Sequence, residues 1–234
     1  MRKTFALAAT LCLAPLGLLA DTAQERLQDS AEIFHEVMST PDKGIPQDLL
    51  AKAYCVVVVP GLKKAAFVVG GQYGKGFVMC RHLHGVGWGP PAAIKVEGGS
   101  FGFQIGGSST DVVMLVMNEH GMRSLDKSKV TLGADASIAA GPVGRTAAAN
   151  TDAYMSAEIL SWSRAKGLFA GIALNGASLR PDSEANSELY GKRMDTRELF
   201  ASDMKAPDAA HGLVAELDRY SMHREGSNAD RTQQ

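Results

Sequence analysis

What this chain lacks narrows its function before any motif is weighed. Neither sign of charge is in excess: 24 Lys and Arg stand against 25 Asp and Glu in 234 residues, a formal −1 at pH 7. Without a strong overall field there is no bulk pull toward nucleic acid or anionic lipid, so any anion site has to be a local patch. Cysteine is scarce, limited to Cys12, Cys55 and Cys80. No C-x-x-C or H-E-x-x-H spacing occurs, which removes two common redox and zinc signatures. The apolar stretch from Phe5 to Leu13 is followed by Pro15 and Gly17 and is too short to span a bilayer comfortably. There is no repeat at a fixed period and no low-complexity tract.

The N-terminus reads as a secretory signal of bacterial style. Arg2 and Lys3 form the charged region, Phe5 to Leu13 the apolar one, and Leu18-Leu-Ala20 a small-residue exit before Asp21. Leu11 before Cys12 does not fit a lipobox, so residues 1–20 predict a soluble exported protein, periplasmic or secreted. Cleavage would leave 22 basic against 25 acidic side chains, a formal −3. In an oxidising compartment Cys55 and Cys80 could form a disulfide, which over about 25 residues is worth roughly 3 kcal/mol. The alternative is a pair of small buried apolar residues, and the sequence leaves both open.

Hydrophobic periodicity then orders the chain. Ala23, Leu27, Ala31, Phe34 and Met38 predict a helix over 21–39, with Asp21, Glu25, Asp29, Glu32 and Glu36 making its polar face acidic. A short helix follows over 46–53 with Pro46 at its start. Cys55–Val59 is a continuous apolar run, as expected of a strand covered on both faces. Further strands are predicted over 66–70, 76–82, 92–97, 101–106, 112–118, 129–140, 153–163 and 168–179, separated by turn glycines. Helices are expected near 119–126 and over 183–190, 195–202 and 208–222, and residues 224–234 form a loose polar tail. The fold class predicted is α+β, a mainly antiparallel β sandwich or barrel flanked by N- and C-terminal helices. The N-terminal helices occupy 21–54, the β-rich unit 55–193 and the C-terminal helices 194–223.

Catalytic motifs fail on context. Gly98-Gly-Ser100-Phe-Gly102 matches G-x-S-x-G, but the following Phe-Gln-Ile-Gly reads as strand where a nucleophile elbow needs a helix. Ser124-Leu-Asp-Lys127 and Ser163-Arg-Ala-Lys166 match S-x-x-K without the companion motifs of penicillin-recognising enzymes. His82 and His84 would share a strand face, yet no third or fourth metal ligand is visible. Gly70-Gly-Gln-Tyr-Gly-Lys75-Gly76 lacks the end of a P-loop and reads as a hairpin turn with Lys75 at its tip. The remaining candidates are basic clusters: Lys63 and Lys64, Lys75, Arg164 and Lys166, Arg180, and Lys192 with Arg193. Brought together, they would suit a phosphorylated head group. Arg81 and Arg145, amid apolar neighbours, read as structural, paired with a carboxylate such as Asp111 or Asp135. Trp88, between glycines and prolines, is either an exposed interfacial indole or, as favoured here, a buried anchor.

The punctuation of 55–193 carries a further implication. Pro60-Gly61, Gly70-Gly71, Gly74-Lys-Gly76, Arg81, Trp88-Gly-Pro-Pro91, Gly98-Gly-Ser-Phe-Gly102-Phe-Gln104, Gly133-Ala-Asp135, Ala140-Gly-Pro142, Lys166-Gly-Leu-Phe-Ala-Gly171, Asn186 and Tyr190-Gly191 follow one another in an order that closely resembles the SYLF domain. That is a lipid-binding family, also described as an actin-binding domain in fungi. Its eukaryotic members are described as binding phosphoinositide membranes with the help of an amphipathic N-terminal helix. The resemblance implies a non-enzymatic binding module without a cofactor, contacting anionic phospholipid as a peripheral membrane protein. Head-group contacts are expected from Lys63, Lys64, Lys75, Arg164, Lys166, Arg180, Lys192 and Arg193. The helix over 21–39 departs from the pattern, because an acidic face repels anionic lipid and favours packing on the sheet. The alternative is a module that docks an envelope protein instead of lipid, and a hydrolase using Ser100 is the weakest reading.

Overall fold

The structure, a computed structural model, describes residues 21–40, 44–67, 69–82, 87–101, 106–144, 156–202 and 204–221. The signal segment, Cys12, His84, Arg145 and the tail over 224–234 lie outside the described residues. Among the described residues nine strands form one sheet: β1 Cys55–Phe67, β2 Val69–Cys80, β3 Ala92–Phe101, β4 Gly106–Val116, β5 Val130–Thr131, β6 Ile138–Ala140, β7 Ile159–Ala165, β8 Leu168–Gly171 and β9 Ser178–Pro181. Their order is β5-β9-β3-β2-β1-β4-β7-β6, with β8 paired to β7. Only β6–β7 is parallel. The class is therefore the expected α+β, built as a single curled sheet with helices on its flanks.

Alternation along the strands sends side chains to both faces, and both are buried. Val56, Val58, Phe77, Met79, Val113 and Leu115 share a core with Leu27, Phe34, Leu50 and Leu213. These come from helices α1 (Ala23–Ser39), α2 (Gln47–Lys52) and α6 (His211–Ser221). On the other face Val57, Val59, Val78, Val112, Met114 and Val116 meet Leu174, Leu179, Met194 and Leu199. Two-sided cover is why Cys55–Val59 reads as an unbroken apolar run. Further helices among the described residues are α3 (Glu119–Ser124), α4 (Ser183–Tyr190) and α5 (Thr196–Ala201). A capping box between Thr22 and Glu25 fixes the start of α1, and its predicted apolar stripe faces the core.

Three local readings need correction. Pro60-Gly61 does not end the first strand. β1 continues through it to Phe67, with its pairing to β2 shifting between Val58 and Lys63. This is a bulge: Gly61 takes φ +54, and its amide donates to Asp111 Oδ1 at 2.9 Å. Next, the segment from Gly70 to Gly76 is strand β2, so Lys75 lies mid-strand opposite Lys95 and not at a loop tip. Last, the long strands expected over 129–140 and 168–179 shrink to the short β5, β6, β8 and β9, joined by turns. Glycine density marked both the turns and the strand bulge, and the sequence alone does not separate them.

Cys55 and Cys80 face each other across β1 and β2 and are joined by a disulfide, S–S 2.06 Å.

Candidate functional site at the hairpin end of the sheet

Much of the signature serves to hold the fold. Arg81 donates from Nε to the Ala53 carbonyl at 3.0 Å and from Nη2 to Leu50 and Ser221 carbonyls at 3.3 and 3.2 Å. It also stacks on Trp88, 4.3 Å from the ring centroid. Its partners are thus carbonyls and an indole, and Asp111 is taken by Arg164 instead. Trp88 is buried, and its Nε1 donates to Ser221 Oγ at 3.1 Å, so the Arg81–Trp88 pair clasps α2 and α6 to the sheet. Asn186 accepts from the Ala93 amide at 2.7 Å, and Tyr190 donates to the Pro91 carbonyl at 2.5 Å. Burial pushes the Tyr190 phenol well above its ordinary value. Gly191, at φ +66, ends α4 in the left-handed conformation.

Two of the expected head-group cations are committed elsewhere on the sheet. Asp182, fully buried at the start of α4, accepts from the Ala185 amide. Lys75 and Lys95 each place an ammonium 3.2 Å from one of its oxygens. Burial raises the Asp182 carboxyl, but the Ala185 amide and the two lysines outweigh it and hold the group below its ordinary value. Arg180, the strand partner of Lys95, pairs with Glu97 at 3.5 Å. Nothing in the sequence singled out Asp182 or Lys95; the only local signal was an Asp preceding a helical segment.

Lys63 and Arg164 do meet, in a cleft of about 430 Å3 between α1 and the sheet. Asp21, Asp29, Glu32, Glu36 and Asp111 also line it, so it is acidic overall. Arg164 is held by Asp111 at 2.9 Å and by Glu36, tying α1 to β4 and β7. Burial and the neighbouring carboxylates Asp21, Glu32, Glu25 and Asp111 push Asp29 upward. An anionic group would be repelled from this interior.

The edge of the cleft, which shares Lys63 with it, is different. β7 and β8 join through Lys166-Gly167, at φ +50 and +77, with Ala165 and Leu168 paired across the turn. Leu168 is 77% exposed. The pairings Asp111 with Arg164 and Lys63 with Ser109 put the Lys166 turn level with Ser109, Lys63 and Tyr73. Lys63 and Lys166 stand two strand spacings apart, about 10 Å. Tyr73 is itself exposed. Lys64, the next residue on β1, points to the opposite face. Lys63, Lys64 and Lys166 form no ion pair with the described residues. Lys192 and Arg193, just past α4, are exposed but lie away from this edge, because Asn186 and Tyr190 hold α4 to the Pro91–Ala93 end of β3. The hairpin end thus combines free ammonium groups with exposed apolar side chains.

Ser100 lies within β3 opposite Gly70, in extended strand where a nucleophile elbow needs a sharp turn, and most of the strand expected over 101–106 lies outside the described residues. Among the described residues no three His, Cys, Asp or Glu side chains converge as a metal site.

The architecture is thus that of a helix-flanked curled sheet with a lysine-bearing hairpin edge. Residues 97–220 match the family described as Ysc84, Las17-binding protein actin regulator, and the chain belongs to this Ysc84/SYLF family. It is 31% identical over 195 residues to Protein YSC84 of Saccharomyces cerevisiae, covering 80% of this chain and 41% of that protein. With SH3 domain-containing YSC84-like protein 1 of Xenopus laevis it shares 35% over 184 residues, 77% of this chain and 54% of the relative. LAS seventeen-binding protein 3 of Saccharomyces cerevisiae is 31% identical over 193 residues, 81% and 42% of the two chains. The chain thus spans about half the length of these relatives or less. No solved structure matches it significantly.

Proposed function

We propose that this protein is a non-enzymatic module that binds anionic phospholipid surfaces through the hairpin end of its sheet. The observation that carries the reading is the exposed Leu168 on a turn whose Lys166 stands level with Lys63 and Tyr73. A leucine that enters the interface beside ammonium groups that meet phosphates is the usual division of labour at a membrane surface. Lys64 adds positive charge on the other face of β1, whereas Lys75, Arg164 and Arg180 act through their carboxylate partners, and Lys192 and Arg193 stand apart from this edge. The Cys55–Cys80 bridge supports an oxidising setting, so the natural surface is an envelope membrane facing the periplasm or the exterior.

The test is co-sedimentation with neutral and anionic liposomes at low and high salt. Binding should require anionic lipid, fade with salt, and fall on Lys63→Glu with Lys166→Glu, or on Leu168→Ser. Binding unchanged by all of these substitutions would overturn the site.

A second reading is favoured by the acidic cleft and by the names of the family and of its yeast relative, which describe binding to Las17 and, for the family, actin regulation. Asp29, Glu32 and Glu36 on α1 would then receive a basic segment of a partner protein. Absent vesicle binding, together with one specific partner recovered from a periplasmic extract and lost on Glu32→Lys, would select it.

A further inference from the structure

One cation at the hairpin edge is covered. Arg164 lies on β7 two residues before the Lys166 turn, and two carboxylates share its guanidinium. Nε and Nη2 donate to Asp111 Oδ2 at 3.1 and 2.9 Å, while Asp111 Oδ1 accepts from the Gly61 amide at 2.9 Å. That side of Arg164 is built into the sheet. The other side, at Nη1, contacts Glu36 Oε2 of α1. Glu36 and Arg164 line one cleft with Lys63, so both cations face the same approach. The Glu36 side chain is 56% exposed, and Arg164 is its only partner among the described residues. Nothing local asks for a carboxylate here. Glu36 stands in the last turn of α1, which holds no basic residue, and a negative charge there opposes the helix dipole. The helix is anchored without it, through Leu27, Phe34 and Met38 in the core. An exposed ion pair also adds little to stability.

We infer that Glu36 is an autoinhibitory group, whose carboxylate holds the place on Arg164 that a lipid phosphate would take. The inference rests on the membrane reading above and supplies its regulation. Carboxylate and phosphate oxygens present the same acceptors to a guanidinium fork, so one can replace the other while Asp111 stays bound. In solution Glu36 wins, because α1 tethers it beside Arg164 at a high effective concentration. Against a dense anionic surface, with Lys63, Lys166 and Leu168 engaged, the phosphates are held close too and Glu36 gives way. Arg164 then adds a third cationic contact. The edge thus responds to the density of anionic lipid and disregards sparse charge.

The experiment is sedimentation of the full chain with phosphatidylcholine vesicles carrying rising fractions of phosphatidylglycerol, at one salt concentration. Glu36→Gln is expected to reach half-binding at about threefold to fivefold less anionic lipid than wild type. Glu119→Gln, on α3 beyond the far end of β4, changes the net charge equally and should bind as wild type. In an Arg164→Gln background, Glu36→Gln should gain nothing, since no guanidinium is left to uncover. Should Arg164→Gln fail to fold, Glu36→Asp takes its place: the charge stays, the carboxylate withdraws by one methylene, and binding should still rise. Wild type that binds, with a folded Glu36→Gln that binds no better, would overturn this inference alone. So would a gain that persists without Arg164, or Glu36→Asp binding as wild type. Vesicles ignored by wild type and Glu36→Gln alike would remove the membrane reading and this inference together.

Discussion

A Cβ on Gly76 would sit 2.1 Å from the carbonyl oxygen of Val58 on the neighbouring strand. The two meet where β1 shifts its register around Pro60-Gly61, and β2 makes room by having no side chain there. Gly74, one pleat further on, faces Leu62 and Val59 in the same way. Gly76→Ala is therefore expected to destabilise by about 3 kcal/mol, as backbone-limited overpacking does. Gly99→Ala is the control: nothing lies within 4 Å of its Cβ position. Its effect should stay within about 0.5 kcal/mol. Denaturant midpoints of the two variants check the contrast, and equal losses would refute it.

This pair also explains what could be read from the sequence. Helices with a clear period, such as α1 with Leu27 and Phe34, and α4 between Asp182 and Gly191, lie where the pattern put them. The α+β class was legible for the same reason. The glycines misled locally because one residue type serves two ends. Gly167 and Gly191 supply positive φ in turns, while Gly74 and Gly76 supply empty space inside a strand. The sequence around Lys75 therefore reads as a loop tip although the residue lies mid-strand. The basic residues were visible, but their partners were not. Asp111, Glu36 and Asp182 are distant in sequence from most of the cations they hold, and only the register of the sheet brings them together.

The disulfide links strands that already pair in register, at a sequence separation of 25. Its main effect is to restrict the unfolded chain, by roughly 3 kcal/mol for a loop of that size. Cys55→Ala with Cys80→Ala, or reductant added to the native protein, should lower the melting temperature while leaving the folded spectrum unchanged. Superimposable melts with and without reductant would refute this.

Asp182 gives the fold an acid sensitivity of predictable sign. Its carboxyl is held below the ordinary value in the folded state, so its contribution is complete above the unfolded carboxylate range of about 4. It is lost as pH falls through the lower, folded value. Asp182→Asn removes that contribution at neutral pH and leaves Lys75 and Lys95 facing each other across β2 and β3. A cost of about 2–3 kcal/mol is expected, less than for a wholly buried pair because both ammonium groups reach solvent. Urea midpoints from pH 7 down to about 3 should converge for wild type and variant. A constant gap across that range would show that the carboxylate charge is not what stabilises the site.

Lys166 sets stability against binding. It is the only non-glycine residue with positive φ among the described residues, at +50, and with Gly167 it forms a two-residue hairpin turn. Such turns favour Asn-Gly, since Asn tolerates the left-handed conformation better than a residue with a long side chain. Lys166→Asn should therefore raise stability, by about 0.5–1 kcal/mol. If Lys166 contacts head groups, the same change should reduce sedimentation with anionic liposomes at low salt. Those opposite movements would mean that a less favourable residue is kept in the turn for its charge. A more stable variant that sediments undiminished would remove Lys166 from the lipid surface and leave Lys63 and Lys64 to account for it.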